Sequence, residues 1–354
     1  MTEGGTQVRK LGIAVIGRGV WGCHSLEQEM LKCPGTRIIG VHSAERWGES
    51  SVAGTAESAG QRYAADLHTE NFSDWRSLIL DPRVDVVSLM AAPNARFAPA
   101  ELAMTNGKYV VVDKPLAATT HEADQLAAIE HSAKGKGFVL CGLQYEHKVS
   151  RLGEEIRNGN LGALVSGRVT LHFTGGIFPG FVPNARYVQG TLGGELTVIG
   201  SHALQTLLWL FSGERIISVY ARLRNHFYPQ YQRVGMEDWA EVIVRFASGA
   251  VGSVQVSRLP HKPDIQPEVI EVTGTAGFAR VTADRLTLWP GQTEIAETLT
   301  PAERLQATFA QVLAAVRFGK PTPMSFQDGA RLNHLLAAAY RSATNGYASV
   351  LDNL

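Results

Sequence analysis

The chain has 354 residues, and at about one domain per 150 residues that length points to two domains. Lys plus Arg and Asp plus Glu each number 33, so the formal net charge is zero, and the basic excess of a nucleic-acid binder is absent. No run approaches the roughly 18 consecutive apolar residues of a membrane span, and the polar start MTEGGTQVRK lacks the apolar stretch of a signal peptide. Cys23, Cys33 and Cys141 are an odd, widely spaced set, the pattern of reduced thiols in a cytoplasmic protein.

In chain order, the first segments alternate between two patterns. Lys10 to Ile16 (KLGIAVI) is a short apolar run that predicts a buried strand, and it ends in GRGVWG, Gly17 to Gly22. Strands are expected again at residues 37–42, 84–90, 108–113 and 138–143. Helices are expected at 74–80, started by an Asp cap, at 99–106, stopped by Gly107, and at 121–133. Strands alternating with helices imply a parallel, doubly wound sheet.

The character changes near Gln144. After a helix at 149–157 come strands at 164–173, 216–224, 240–246, 252–258, 269–274, 277–282 and 285–288, with helices at 196–211, 301–317 and 327–344. Mostly consecutive strands joined by short turns predict an α+β domain with one large, mostly antiparallel open sheet, covered by helices on one face. The division expected is residues 1–143 and 144–354, with the last helix returning to the first domain. The outward residues of 164–173 and 240–246 read as too apolar for a solvated face, so the sheet is expected to make a homodimer or homotetramer.

GRGVWG matches G-x-G-x-x-G, a weak pattern in a chain with 36 glycines but a stronger one between a strand and a helix-compatible segment. Gly17 permits the tight turn, Gly19 lets backbone approach a pyrophosphate, and Gly22 lets helix pack on strand. Arg18, Val20 and Trp21 complete the loop. The segment VHSAERWG, about 20 residues on, lacks an acidic residue at the strand end. Ser43 and Arg46 there suit a 2′-phosphate, which leans the cofactor from NAD toward NADP, although Glu45 lies between them. The histidines are scattered without HxH or HxxxH spacing, so no metal is expected.

Three further segments carry a resemblance. The order GRGVWG, then DWRSLILDPRVDVVSLMAAPN, then GKYVVVDKPLA, is similar to the N-terminal domain of the glucose–fructose oxidoreductase / inositol dehydrogenase (Gfo/Idh/MocA) family. RLNHLLAAAYRSATNG resembles its C-terminal helix. The resemblance implies NAD(P)-dependent hydride transfer at a CH–OH group of a sugar or polyol derivative. It places Ala92, Pro93, Asn94, Asp113, Lys114, Pro115 and Gln144 at the cofactor, Lys114 beside the reacting carbon, and a cis bond before Pro115. His202, in GGELTVIGSHALQ, matches the family's acid/base histidine. Tyr145, Arg186, Tyr187 and His202 are the expected substrate contacts, and His172 is a weaker one.

The sequence also departs from the family pattern. The aspartate expected four residues before His202 is Val198, a further acidic position is Gln205, and a histidine expected after Pro93-Asn94 is Phe97. GGxLTV with its histidine, and the G-L-Q of CGLQYEHKVS, resemble the branch containing the fungal galactose-pathway repressor. That branch offers a second reading, a dinucleotide-binding regulator without turnover.

Overall fold

The computed structural model describes residues 9–17, 33–42, 61, 64–65, 67–91, 93–174, 193–233, 235–260, 268–291, 294–296, 301–319 and 324–351. The chain divides into two compact units. The first is residues 1–117, 121–140 and 301–327; the second is residues 118–120, 141–300 and 328–354.

The first unit is built on six parallel strands: β1 (Leu11–Ile16), β2 (Thr36–His42), β3 (Glu70–Asn71), β4 (Val86–Leu89), β5 (Tyr109–Asp113) and β6 (Gly137–Leu140). Their order is β3-β2-β1-β4-β5-β6. All six β1 residues and all four β4 residues are buried, which is why these strands read as continuous apolar runs. Helices α1 (Trp75–Leu80), α2 (Phe97–Thr105) and α3 (Thr120–Ser132) follow β3, β4 and β5. Asp74 caps α1 as its position predicts, accepting from the Arg76 N–H at 3.1 Å. The strand predicted at 138–143 is shorter than expected, because Cys141 to Leu143 leave the sheet.

A late segment completes this unit. Phe309, Val312 and Leu313 of the helix Pro301–Phe318 pack into the cluster formed by Ile13, Val15, Val41, Val86, Val111 and Phe138. The buried Glu130 carboxylate accepts from the N–H groups of Gly137 (3.2 Å) and Gln327 (3.1 Å), and so caps the helix Phe326–Asn345 at its start.

The second unit holds α4 (His147–Arg157) and nine strands: β7 (Leu164–Thr174), β8 (Ile216–Arg224), β9 (Trp239–Phe246), β10 (Val251–Leu259), β11 (Glu268–Gly274), β12 (Phe278–Thr282), β13 (Arg285–Trp289), β14 (Glu294–Ala296) and β15 (Ser349–Val350). Their order is β14-β13-β12-β11-β7-β10-β9-β8-β15. Every pairing is antiparallel except β7 with β10, so the centre of the sheet is not the meander that the consecutive strands suggest. The three-residue β14 and two-residue β15 carry too little pattern to be read in sequence.

The helix expected at 196–211 is two helices, α5 (Glu195–Val198) and α6 (Gly200–Leu210). The join is tightened: the His202 N–H bonds the Ile199 carbonyl three residues back, and the Ser201 hydroxyl bonds the Thr197 carbonyl. A four-residue helix, Pro229–Gln232, follows β8. One face of the sheet is apolar and buried, with Ala240, Val242, Val244 and Phe246 on β9. The other is more polar than its sequence reading. Glu241 and Arg245 are exposed, Arg168 bonds Gln255 at 3.3 Å, and Arg280 pairs with Glu271 at 3.6 Å, while Ile243, Val251 and Trp289 are exposed apolar residues of the same face.

Candidate active site

In the first unit, the strand order reverses between β1 and β4. A parallel open sheet binds ligands at the carboxyl ends of its strands at such a switch point. Gly17 leaves β1 there with φ of +80°, its N–H bonded to the His42 carbonyl at 2.8 Å. A β-carbon at Gly17 would lie 2.8 Å from the Ala91 backbone, so only glycine lets the turns after β1 and β4 approach this closely. This is the cradle a dinucleotide requires, and in that respect the residues fit the group. Pro93 and Asn94 form a short 3-10 turn after β4, and Asn94 is exposed.

Lys114 follows β5 on the same edge. Its backbone N–H bonds the Asp113 carboxylate at 2.9 Å, and the Lys114–Pro115 peptide is cis, as the resemblance implies. Pro115 is buried, and Asp113 and Lys114 are half-buried. Beneath this turn lies Arg96, which the sequence reading missed: it is fully buried and bonds the carbonyls of Ala91 (2.7 Å), Asp113 and Pro115. Its only sequence signal is a cation entering an otherwise apolar helix. His42, at the end of β2, approaches the Phe72 carbonyl through Nδ1 at 2.9 Å. A carbonyl only accepts, so Nδ1 carries the proton of this contact.

In the second unit, the turn after Cys141 lies against α6. The Gly142 N–H donates to Nδ1 of His202 at 3.2 Å, and the Leu143 N–H donates to the Thr206 hydroxyl at 2.9 Å. Gln144 is buried and its amide bonds the Cys141 carbonyl at 3.0 Å. Tyr145 is also buried, and desolvation raises its phenol well above the ordinary range.

The position where an aspartate was expected has a different use. Val198 packs against Tyr231 and Met236. The carboxylates of this region sit elsewhere, in a buried group also missed in sequence. Glu195 pairs with Arg258 and accepts from the Tyr231 hydroxyl at 2.8 Å. Glu237 accepts from the Leu196 N–H at 2.9 Å and the Tyr340 hydroxyl at 2.8 Å. It also fills the space that a side chain at Gly194, with φ of +117°, would occupy. Burial pushes Glu237 up to about 8, with Glu195 adding repulsion. Arg258 pairs with Glu195, and burial favours the protonated form of Glu237.

Of the other expected residues, Arg18, Gly19, Val20, Trp21, Gly22, Ser43, Arg46, Ala92, Arg186 and Tyr187 lie outside the described residues. His172 is half-buried on β7 against the Ser257 hydroxyl at 2.7 Å, and burial lowers its pKa. Among the described residues, no group of three or more His, Cys, Asp or Glu side chains could hold a metal, and no helix is long and apolar enough to cross a membrane.

A parallel sheet reversing at a glycine turn, followed by a domain with a large mixed sheet, defines a Rossmann-type dinucleotide-binding oxidoreductase architecture. A family model described as the oxidoreductase family, NAD-binding Rossmann fold, matches residues 11–140, and one described as the GFO/IDH/MocA C-terminal domain matches residues 149–280. The chain belongs to the Gfo/Idh/MocA family of oxidoreductases.

It is 28% identical to a levoglucosan dehydrogenase of Pseudarthrobacter phenanthrenivorans over 63% of this chain and 60% of that protein. It is 27% identical to an inositol 2-dehydrogenase of Rubrobacter xylanophilus over 70% of this chain and 65% of that protein. The matches thus span less than two thirds of the length of these curated relatives. Among solved structures, a levoglucosan dehydrogenase in complex with NADH and levoglucosan shares the fold, with a TM-score of 0.78 at 22% identity, covering 98% of this chain and 100% of that one.

Proposed function

We propose that the protein is an NAD(P)-dependent dehydrogenase that oxidises a CH–OH group of a sugar or polyol. The observation that carries this reading is Lys114, held on a tied turn at the carboxyl edge of the parallel sheet, two strands from the Gly17 turn. Relatives named for levoglucosan and inositol support the substrate class. The nicotinamide, when bound, supplies the hydride acceptor.

Gly17, Pro93, Asn94 and the loop through Gly22 bind the dinucleotide. Lys114, as the neutral amine, takes the proton of the substrate hydroxyl, and His202 is the second polar group of the reaction. Gln144, Tyr145, Arg186 and Tyr187 complete the contacts. NADP is favoured over NAD, because the strand end offers His42, Ser43 and Arg46 in place of a carboxylate that would repel a 2′-phosphate. The protein acts in the cytoplasm as a homo-oligomer through the open face of the second unit's sheet, where Ile243, Val251 and Trp289 are exposed.

Reduced-cofactor formation across a panel of sugars and polyols, with NAD and NADP in parallel, tests the reading. One observation favours the rival, a regulator that binds dinucleotide without turnover: Val198 packs on Tyr231 and Met236, so no carboxylate orients His202 from the preceding turn. Cofactor binding with no turnover anywhere in the panel would favour the rival.

A further inference from the structure

Arg96 is the largest fully buried side chain among the described residues. A guanidinium is costly to take out of water and persists in an interior only where its N–H groups are bonded. Here Nε and Nη1 are bonded to backbone in three places. Nε donates to the Ala91 carbonyl at 2.7 Å, and Nη1 donates to the carbonyls of both Asp113 and Pro115. Those last two flank Lys114, so one nitrogen grips the peptide on either side of the lysine. The Nε end grips the turn after β4, against which Gly17 is packed.

The stem is fixed as well. Arg96 is the N-cap residue of α2, whose Pro99, Ala100, Ala103 and Met104 are buried. A planar fork on an anchored stem holds three acceptors in one geometry, which a flexible lysine with a single ammonium cannot do.

We propose that Arg96 is a positioning residue for Lys114, locking the Asp113–Pro115 turn to the turn after β4 so that the lysine departs from one fixed backbone geometry. This rests on the catalytic reading of Lys114 given above. Displacement of a reacting group by about an ångström costs up to about a hundredfold in rate. Arg96→Lys and Arg96→Gln are therefore expected to lower kcat about 10- to 100-fold while leaving the affinity for NAD(P) within about threefold.

The decisive measurement is a double-mutant cycle. In a Lys114→Ala background, Arg96→Lys should cost nothing further, because its effect passes through the lysine. A full additional loss would overturn the proposal. Hydrogen exchange gives a readout independent of activity: the amides of Asp113, Lys114, Leu116 and Ala117 should exchange faster in Arg96→Lys, with those of β1 unchanged. Equal exchange in the two proteins would also overturn it. If the unsubstituted protein turns over nothing in the panel, the dehydrogenase reading fails while the exchange experiment still decides the role of Arg96. If neither variant folds, ¹⁵N NMR of arginine-labelled unsubstituted protein replaces it. Slowly exchanging Arg96 guanidinium protons support the clamp, and rapid exchange refutes it.

Discussion

The backbone N–H of Gly142 donates to Nδ1 of His202. A backbone amide can only donate, so Nδ1 bears the lone pair and the neutral ring carries its proton on Nε2. In such a ring Nε2 is the donor. It can bind a substrate oxygen, but taking a proton there would first require breaking the bond to Gly142. In the proposed reaction, Lys114 is the group assigned the hydroxyl proton. ¹⁵N NMR of histidine-labelled protein should show His202 protonated at Nε2 and not at Nδ1 at neutral pH. The opposite tautomer would remove this division of roles.

The same geometry ranks the two residues. Loss of a well-placed acid/base group costs about 10²- to 10⁴-fold. Lys114→Ala should fall in that range or beyond, and His202→Ala at its low end. His202→Gln, whose amide also donates, should recover much of the loss. Both alanine variants should still bind NAD(P). Single-turnover hydride transfer measures each, and a near-normal rate for Lys114→Ala would show that the role assigned to it is wrong.

Glu237 predicts a pH dependence of stability. Its folded value is raised from 4.5 to about 8, so the folded state binds the proton more tightly than the unfolded state. The stability it contributes is fully present below about 4.5 and is lost as pH rises through about 8. Glu237→Gln removes the titration while keeping an oxygen for Leu196 and Tyr340. Its melting temperature should exceed that of the unsubstituted protein by about 3 °C or more at pH 8.5, with the gap closing toward pH 5. Thermal melts across that range check the slope, and a gap independent of pH would exclude the protonated carboxyl.

Gly19→Val should place a side chain against the pyrophosphate and abolish NAD(P) binding while leaving the fold intact. Calorimetry on the folded variant is the measure, with unchanged affinity as the contrary result. Gly17→Val should differ in kind: with φ of +80° and Ala91 at 2.8 Å, it should destabilise the first unit itself.

The parallel sheet was legible because its strands are buried on both faces and read as unbroken apolar runs, such as LGIAVI and YVVVD. The edge bearing Gly17 and Lys114 was legible because each residue directly follows such a strand. Arg96 was not, since its function depends on two carbonyls nearly twenty positions away that no local pattern announces. Glu195 and Glu237 were missed for the same reason: their partners Arg258 and Tyr340 come from β10 and the last long helix. The exposed face of the second sheet was misread because Arg168, Glu241 and Glu271 sit among β-branched neighbours, and only the register shows that they share a face.

The parallel pairing of β7 with β10 also bears on how the chain is made. β7 emerges early from the ribosome, yet both of its neighbours come much later: Ser166 waits for Val251 on one side and Thr273 on the other. Until then an 11-residue strand bearing Val165, Leu171 and Phe173 has two open edges. Non-local pairing of this kind slows folding and exposes strands to association. A chain interrupted before Gly274 would leave the middle of its sheet unfinished, so truncated forms should be far more aggregation-prone than their hydrophobic content suggests.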